Sequence, residues 1–155
     1  MMSYKTFRAT KYIPASSAKG LPPSGELSLS HDERHIRRKL LHFANGDMIM
    51  VDLKEPVHLS EGDVLEAENG EYFLIHAAKE PLYSVKAATP LELTQLAWHL
   101  GNRHQTVEIK ENRILLSRDP VIRTMLEGLG AAIEEIEAPF QPLHGAYHDH
   151  AGHHH

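Results

Sequence analysis

Apolar and polar residues change rhythm near residue 78, and that change divides the chain. Before it, short stretches alternate with period two between clusters of turn residues. Residues 3–8 and 26–30 read as strands on either side of the Pro22-Pro23-Ser24-Gly25 loop. Residues 36–43 and 48–53 read as a hairpin closed by Asn45-Gly46, a pair suited to a type I′ turn because both central positions need φ > 0. Val57-His58-Leu59, residues 64–67 and residues 72–77 add further strands, separated by Glu61-Gly62-Asp63 and Asn69-Gly70. Residues 1–77 therefore predict a small all-β domain.

After residue 78 helical spacing enters. Residues 82–88 read as a strand. Thr89-Pro90-Leu91-Glu92 then has the form of a capping box with proline at the first helical position. Leu93, Leu96, Ala97 and Leu100 recur at helical spacing, and Gly101 offers a left-handed stop. Residues 105–109 and 113–117 read as strands around a turn at Lys110-Glu111-Asn112. Asp119-Pro120 opens a second helix with Val121, Ile122, Met125, Leu126 and Leu129 as its apolar stripe and Gly130 at its end. Residues 131–137 form a last strand. The order β-α-β-β-α-β over residues 78–138 predicts a ferredoxin-like domain, so the fold class is α+β. From Pro139 to His155 the composition turns to proline, glycine and histidine, with little to bury, and predicts a mobile tail.

Composition narrows the function. The chain has 155 residues, no cysteine and a net charge of -5 with histidines neutral. Thiolate sites, disulfides and cysteine nucleophiles are excluded, and the acidic balance argues against a nucleic-acid surface. No apolar run approaches the ~18 residues of a membrane helix. The first 25 residues carry Lys5, Arg8, Lys11 and Lys19 without an apolar block, so they read as mature cytoplasmic protein. The sequence holds no nucleophile elbow, phosphate-binding glycine loop or cofactor fingerprint.

Histidine is the abnormal total: there are 13, of which His144, His148, His150, His153, His154 and His155 crowd the last dozen residues. Neutral imidazole suits nickel, copper and zinc, so the tail reads as a metal-binding segment. A leftover purification tag accounts for the final three but not for His144, His148 and His150. His104, just past the first helix, has two readings from spacing alone. One is a solvated histidine favoured by the helix dipole when protonated. The other is a ligand, which would need a second copy across a two-fold axis because one monodentate imidazole competes poorly with water. His99 lies opposite the leucines and reads as polar surface or as a further ligand; Trp98 reads as core or interface. His31-Asp32-Glu33-Arg34-His35 superficially suggests a zincin helix, but glutamate does not follow the first histidine and the setting reads as strand or turn.

Trp98-His-Leu-Gly-Asn-Arg-His104, Met125-Leu-Glu-Gly-Leu-Gly130, Ala138-Pro-Phe-Gln-Pro142 and Gly145-Ala-Tyr-His148 before a histidine-rich end resemble, in this order, the urease accessory metallochaperone family UreE. The resemblance implies a cytoplasmic homodimer, not an enzyme, that binds Ni2+ and passes it toward the urease apoprotein with an accessory GTPase. It implies a β domain of peptide- or partner-binding type, and a ferredoxin-like domain that dimerises around a nickel shared by two His104 side chains. The tail histidines would assist, and Zn2+ or Cu2+ would be competitors. Two features depart from the family pattern. Trp98 stands where tyrosine is frequent, and no histidine lies between Gln105 and Leu143, so any additional site must use the tail or histidines before His104. The rival readings are a nickel buffer with the tail as its reservoir, a plain protein-binding module, and a metal-dependent hydrolase. The last would need an open position and a general base that no motif supplies.

Overall fold

The computed structural model describes residues 3–144, which form two compact units divided between Ala78 and Lys79. In the first unit the strands β1 (Thr6–Ile13), β2 (Pro23–Leu29), β3 (His35–His42), β4 (Met48–His58), β5 (Val64–Ala67) and β6 (Tyr72–Ala77) make a six-stranded sheet in the order β2-β6-β5-β1-β4-β3. The sequence-adjacent pairs β3/β4 and β5/β6 are antiparallel hairpins. β1 inserts between them, parallel to β4 and antiparallel to β5, and β2 runs parallel to β6. Period-two burial puts Ile49, Val51 and Leu53 of β4 into the same core as Ala9, Leu65 and Ile75.

Three local expectations are corrected here. The Asn45-Gly46 turn is not type I′: Gly46 has φ 99, whereas Asn45 is not among the positive-φ residues. Instead the Gly46 N–H donates to the Phe43 carbonyl and the Asp47 N–H donates to the Asn45 side-chain oxygen, so an Asx turn does the work. Residues 48–53 and Val57-His58 belong to one continuous strand, β4, along which Lys54, Glu55 and Pro56 are exposed, while Leu59 lies just beyond it. Its register against β3 shifts between Ile36 and Arg38, next to the proline that cannot donate to a ladder. Finally, the strand-or-turn reading of residues 31–35 gives way, directly before β3, to a single helical turn, α1 (His31–Arg34). Ser30 and Glu33 close a reciprocal capping box around it. Its Arg34 is 1% exposed and donates to the carbonyls of Leu59 and Leu29 at 3.0 and 2.9 Å, which satisfies a cation that could not otherwise be buried.

The second unit is ferredoxin-like. β7 (Lys79–Lys86), α2 (Pro90–Asn102), β8 (Glu108–Ile109), β9 (Ile114–Ser117), α3 (Pro120–Gly128) and β10 (Ala132–Pro139) follow in chain order. The sheet is ordered β10-β7-β9-β8 with every pairing antiparallel. Tyr83, Val85, Ile114 and Leu116 face the helices and bury Leu96, Leu100, Ile122 and Leu126. Alternation sends Leu82 and Leu115 to the other face, where Phe140 covers them at 1% exposure. Residues 139–143 are thus part of this unit, contrary to the expectation that the tail starts at Pro139: Phe140 and Pro142 are buried, and the Leu143 N–H donates to the Val107 carbonyl. Val121, placed on the apolar stripe of α3 by its spacing, is 73% exposed, and Leu129 is 45% exposed. Among the described residues no helix is long and apolar enough to cross a membrane.

Candidate metal centre

α2 begins where Thr89 accepts a hydrogen bond from the Glu92 N–H at 3.1 Å and Pro90 supplies a preset φ at the first helical position. The reciprocal bond from the Thr89 N–H to the Glu92 side chain is not formed, so the expected capping box is half made. The helix does not stop at Gly101. It runs through Asn102 with Arg103 as its cap, and the left-handed residue is His104, at φ 57. The Gln105 N–H donates to the Leu100 carbonyl and the His104 N–H to the Gly101 carbonyl, both at 3.0 Å. This pair of bonds is a Schellman motif with histidine in the position that glycine usually fills. Among the described residues His104 is the one non-glycine side chain with positive φ.

A left-handed backbone costs an L-residue about 1–2 kcal/mol, although histidine tolerates it better than most side chains. In return the side chain leaves the helix end exposed, beside carbonyls that carry the negative end of the helix dipole. A divalent cation held by this imidazole would sit in a favourable field. Asn102 and Arg103 are also exposed and line the turn. His99 is half-buried rather than plain surface, its ring 5.1 Å from that of Trp98 and nearly perpendicular to it. Trp98 is not core: it is 64% exposed, and Leu91, two turns earlier on the same helical face, is 67% exposed.

Among the described residues no three histidine, aspartate or glutamate side chains gather as ready ligands for one ion. His104 is therefore not part of a ready three-ligand cluster among the described residues. His144 is exposed at the end of the described chain; His148, His150, His153, His154 and His155 lie outside the described residues. The segment leading to them is nevertheless anchored near His104. Leu143 is bonded to Val107, and Gln141 donates its N–H to the Glu108 carboxylate at 2.9 Å. Val107 is three residues beyond His104, at most about 11 Å of chain at 3.8 Å per Cα step.

The structure is thus an α+β protein of two units, with an imidazole presented at a helix end and a histidine-rich terminal segment. The comparisons with known proteins divide the chain in the same way. The profile described as "UreE urease accessory protein, N-terminal domain" matches residues 9–78, and that described as "UreE urease accessory protein, C-terminal domain" matches residues 80–155. The chain is 55% identical to the "Urease accessory protein UreE" of Agrobacterium fabrum over 96% of its own length and 91% of the relative's. It is 57% identical to that of Rhizobium meliloti over 83% of each chain, and 51% identical to that of Sinorhizobium fredii over 99% of its own length and 93% of the relative's. The chain belongs to the UreE family of urease accessory proteins.

Proposed function

We propose that this protein is a metallochaperone that carries Ni2+ to the urease active site during its assembly. Two His104 imidazoles from a homodimer share one ion, and His144, His148, His150, His153, His154 and His155 feed or complete the site. The observation that carries the reading is the left-handed backbone of His104 in a turn that glycine would make without strain. Such an outlier persists where the side chain has a task that offsets its cost. Exposed Leu91 and Trp98 on the same helix supply apolar surface for the second copy.

The chain path supports transfer between tail and interface. Four Cα steps lead from His144 to His148, about 14 Å when extended, a span longer than the chain from Val107 back to His104. Exchange one ligand at a time keeps the ion coordinated throughout. The partners are the urease accessory GTPase and the urease apoprotein complex, to which the ion is handed on. Imidazole must be neutral to bind, so protons compete with nickel and affinity falls as the pH is lowered.

Titration calorimetry tests this directly. The wild-type protein should take up one tight Ni2+ per dimer plus weaker ions. His104→Ala should lose the tight one; unchanged tight binding in that variant would refute the bridging role. Deleting residues 144–155 should remove the weaker ions and slow delivery while the tight one stays. A buffer protein would instead lose most of its capacity and function with the tail.

A further inference from the structure

The geometry points to a second metal site, in the N-terminal unit, made by His31, His35 and His58 and taking one divalent first-row ion that favours nitrogen ligands. The three come from different elements. His31 opens α1, His35 opens β3 and His58 ends β4. His35 and His58 are directly paired across the β3/β4 ladder, a relation that places Cβ atoms about 5 Å apart. His31 stands four residues before His35, one helical turn away.

The ring spacing fits a shared ion. The His31 and His58 ring centres are 5.1 Å apart and those of His35 and His58 are 5.6 Å apart, with interplanar angles of 46° and 73°. With metal–nitrogen bonds of about 2.1 Å, two imidazoles on one tetrahedral ion have ring centres about 5 Å apart. Asp32 places a carboxylate oxygen 3.3 Å from His31 Nδ1, the pairing that often stands behind a metal-ligating imidazole. The support is rigid: Arg34 is buried, its guanidinium holds the Leu59 carbonyl and its own carbonyl accepts from the Leu59 N–H at 2.8 Å. That ties the residues next to His35 and His58 together. The ligands are not yet gathered, since no ready three-ligand cluster exists among the described residues. The His35 side chain is exposed, while His31 and His58 are half-buried, so the site closes by a turn of the His35 ring toward the other two. The chemistry is imidazole alone plus water, which suits Zn2+, Cu2+ or Ni2+ and not Mg2+ or Ca2+.

Zn2+ is the probe of choice because it leaves nuclear magnetic resonance signals sharp. Long-range 1H–15N spectra of the histidine rings, recorded on the full-length dimer during a Zn2+ titration, should show His31, His35 and His58 shifting together with one ion per subunit. His35→Gln, an exposed substitution, should weaken that response at His31 and His58 at least tenfold and leave the His104 response unchanged. The amide spectrum checks that the fold is retained, and His31→Gln serves as a second variant. The site is overturned if the three rings stay unmoved up to about 1 mM Zn2+, or if their shifts persist undiminished in both variants. Loss of the His104 response would count against the interface ion and leave this site standing.

Discussion

The two helices of the C-terminal unit close with the same turn and different residues inside it. After α3, the Ala131 N–H donates to the Leu126 carbonyl and the Gly130 N–H to the Glu127 carbonyl, both at 3.0 Å, and Gly130 has φ 90. After α2 the equivalent bonds run from Gln105 to Leu100 and from His104 to Gly101. Leu100 and Leu126 occupy the same position three residues before the cap, and both are fully buried. The helix ends are therefore posed alike by packing. Gly130 reaches the left-handed region at no steric cost, whereas His104 does so at about 1–2 kcal/mol. Stability alone would place glycine in both turns. On the proposed function, the imidazole of His104 offsets that cost, and Gly130 has no such task.

Exchanging the residues breaks the comparison most strongly. His104→Gly should weaken the tight nickel at least a hundredfold, about 2.7 kcal/mol at 1.36 kcal/mol per tenfold, as read by calorimetry. The same variant should unfold at higher denaturant. The relieved strain exceeds the extra unfolded-state freedom of glycine, leaving a gain of about 1 kcal/mol. Nickel lost with stability gained is the signature of a strained functional residue; loss of both would mean that His104 holds the helix end. The reverse exchange, Gly130→His, should cost about 1 kcal/mol and create no tight site. A Cβ at Gly130 meets nothing within 4 Å, so the penalty would report backbone strain free of clashes.

That turn also shows how far sequence reasoning reaches. Leu96, Leu100, Ile122 and Leu126 gave both helices, and their alternation with strands gave the order of the ferredoxin-like unit, because periodic burial is written locally. Gly101 misled, since glycine is the usual stop; the stop lay three residues on, set by where the leucine stripe ends against the sheet. The Asn45-Gly46 turn misled for a related reason: an Asx bond lets one left-handed residue suffice. The parallel pairing of β1 with β4 and of β2 with β6 had no local signal, being a matter of long-range assembly. Nor did the approach of His31, His35 and His58, which depends on a helical turn in a segment that read only as strand or turn. Phe140 was legible as part of the motif at residues 138–142 but not as a core residue, because the sheet face it covers is distant in sequence.

The contrast between an imidazole presented and an imidazole held sharpens further in the N-terminal unit. His76 lies between two carboxylates, Nε2 at 2.5 Å from Glu26 and Nδ1 at 2.8 Å from Glu61. The Glu26 bond first and the Glu61 bond second raise its pKa above the ordinary histidine value, against a smaller opposing effect of burial. For Glu61 burial pushes the pKa up, but the hydrogen bonds from the Ala77 N–H and His76 outweigh it, and the carboxyl ends below its ordinary range. The signs differ for the two partners. A raised histidine contributes fully below its unfolded value of about 6.5 and is lost as pH rises through the folded value. A lowered carboxylate contributes above its unfolded value and is lost as pH falls through the folded one. The clamp is therefore strongest in mildly acidic solution and fades as pH rises through the raised folded value of His76. Because His76 is 35% exposed and its partners more so, solvent screening holds the effect to about 0.5 kcal/mol. Denaturant unfolding of the metal-free protein at pH 6 and pH 9 should show the wild type losing that much more than His76→Gln between the two. Equal losses would place the pH dependence elsewhere and leave His76 as a packing residue.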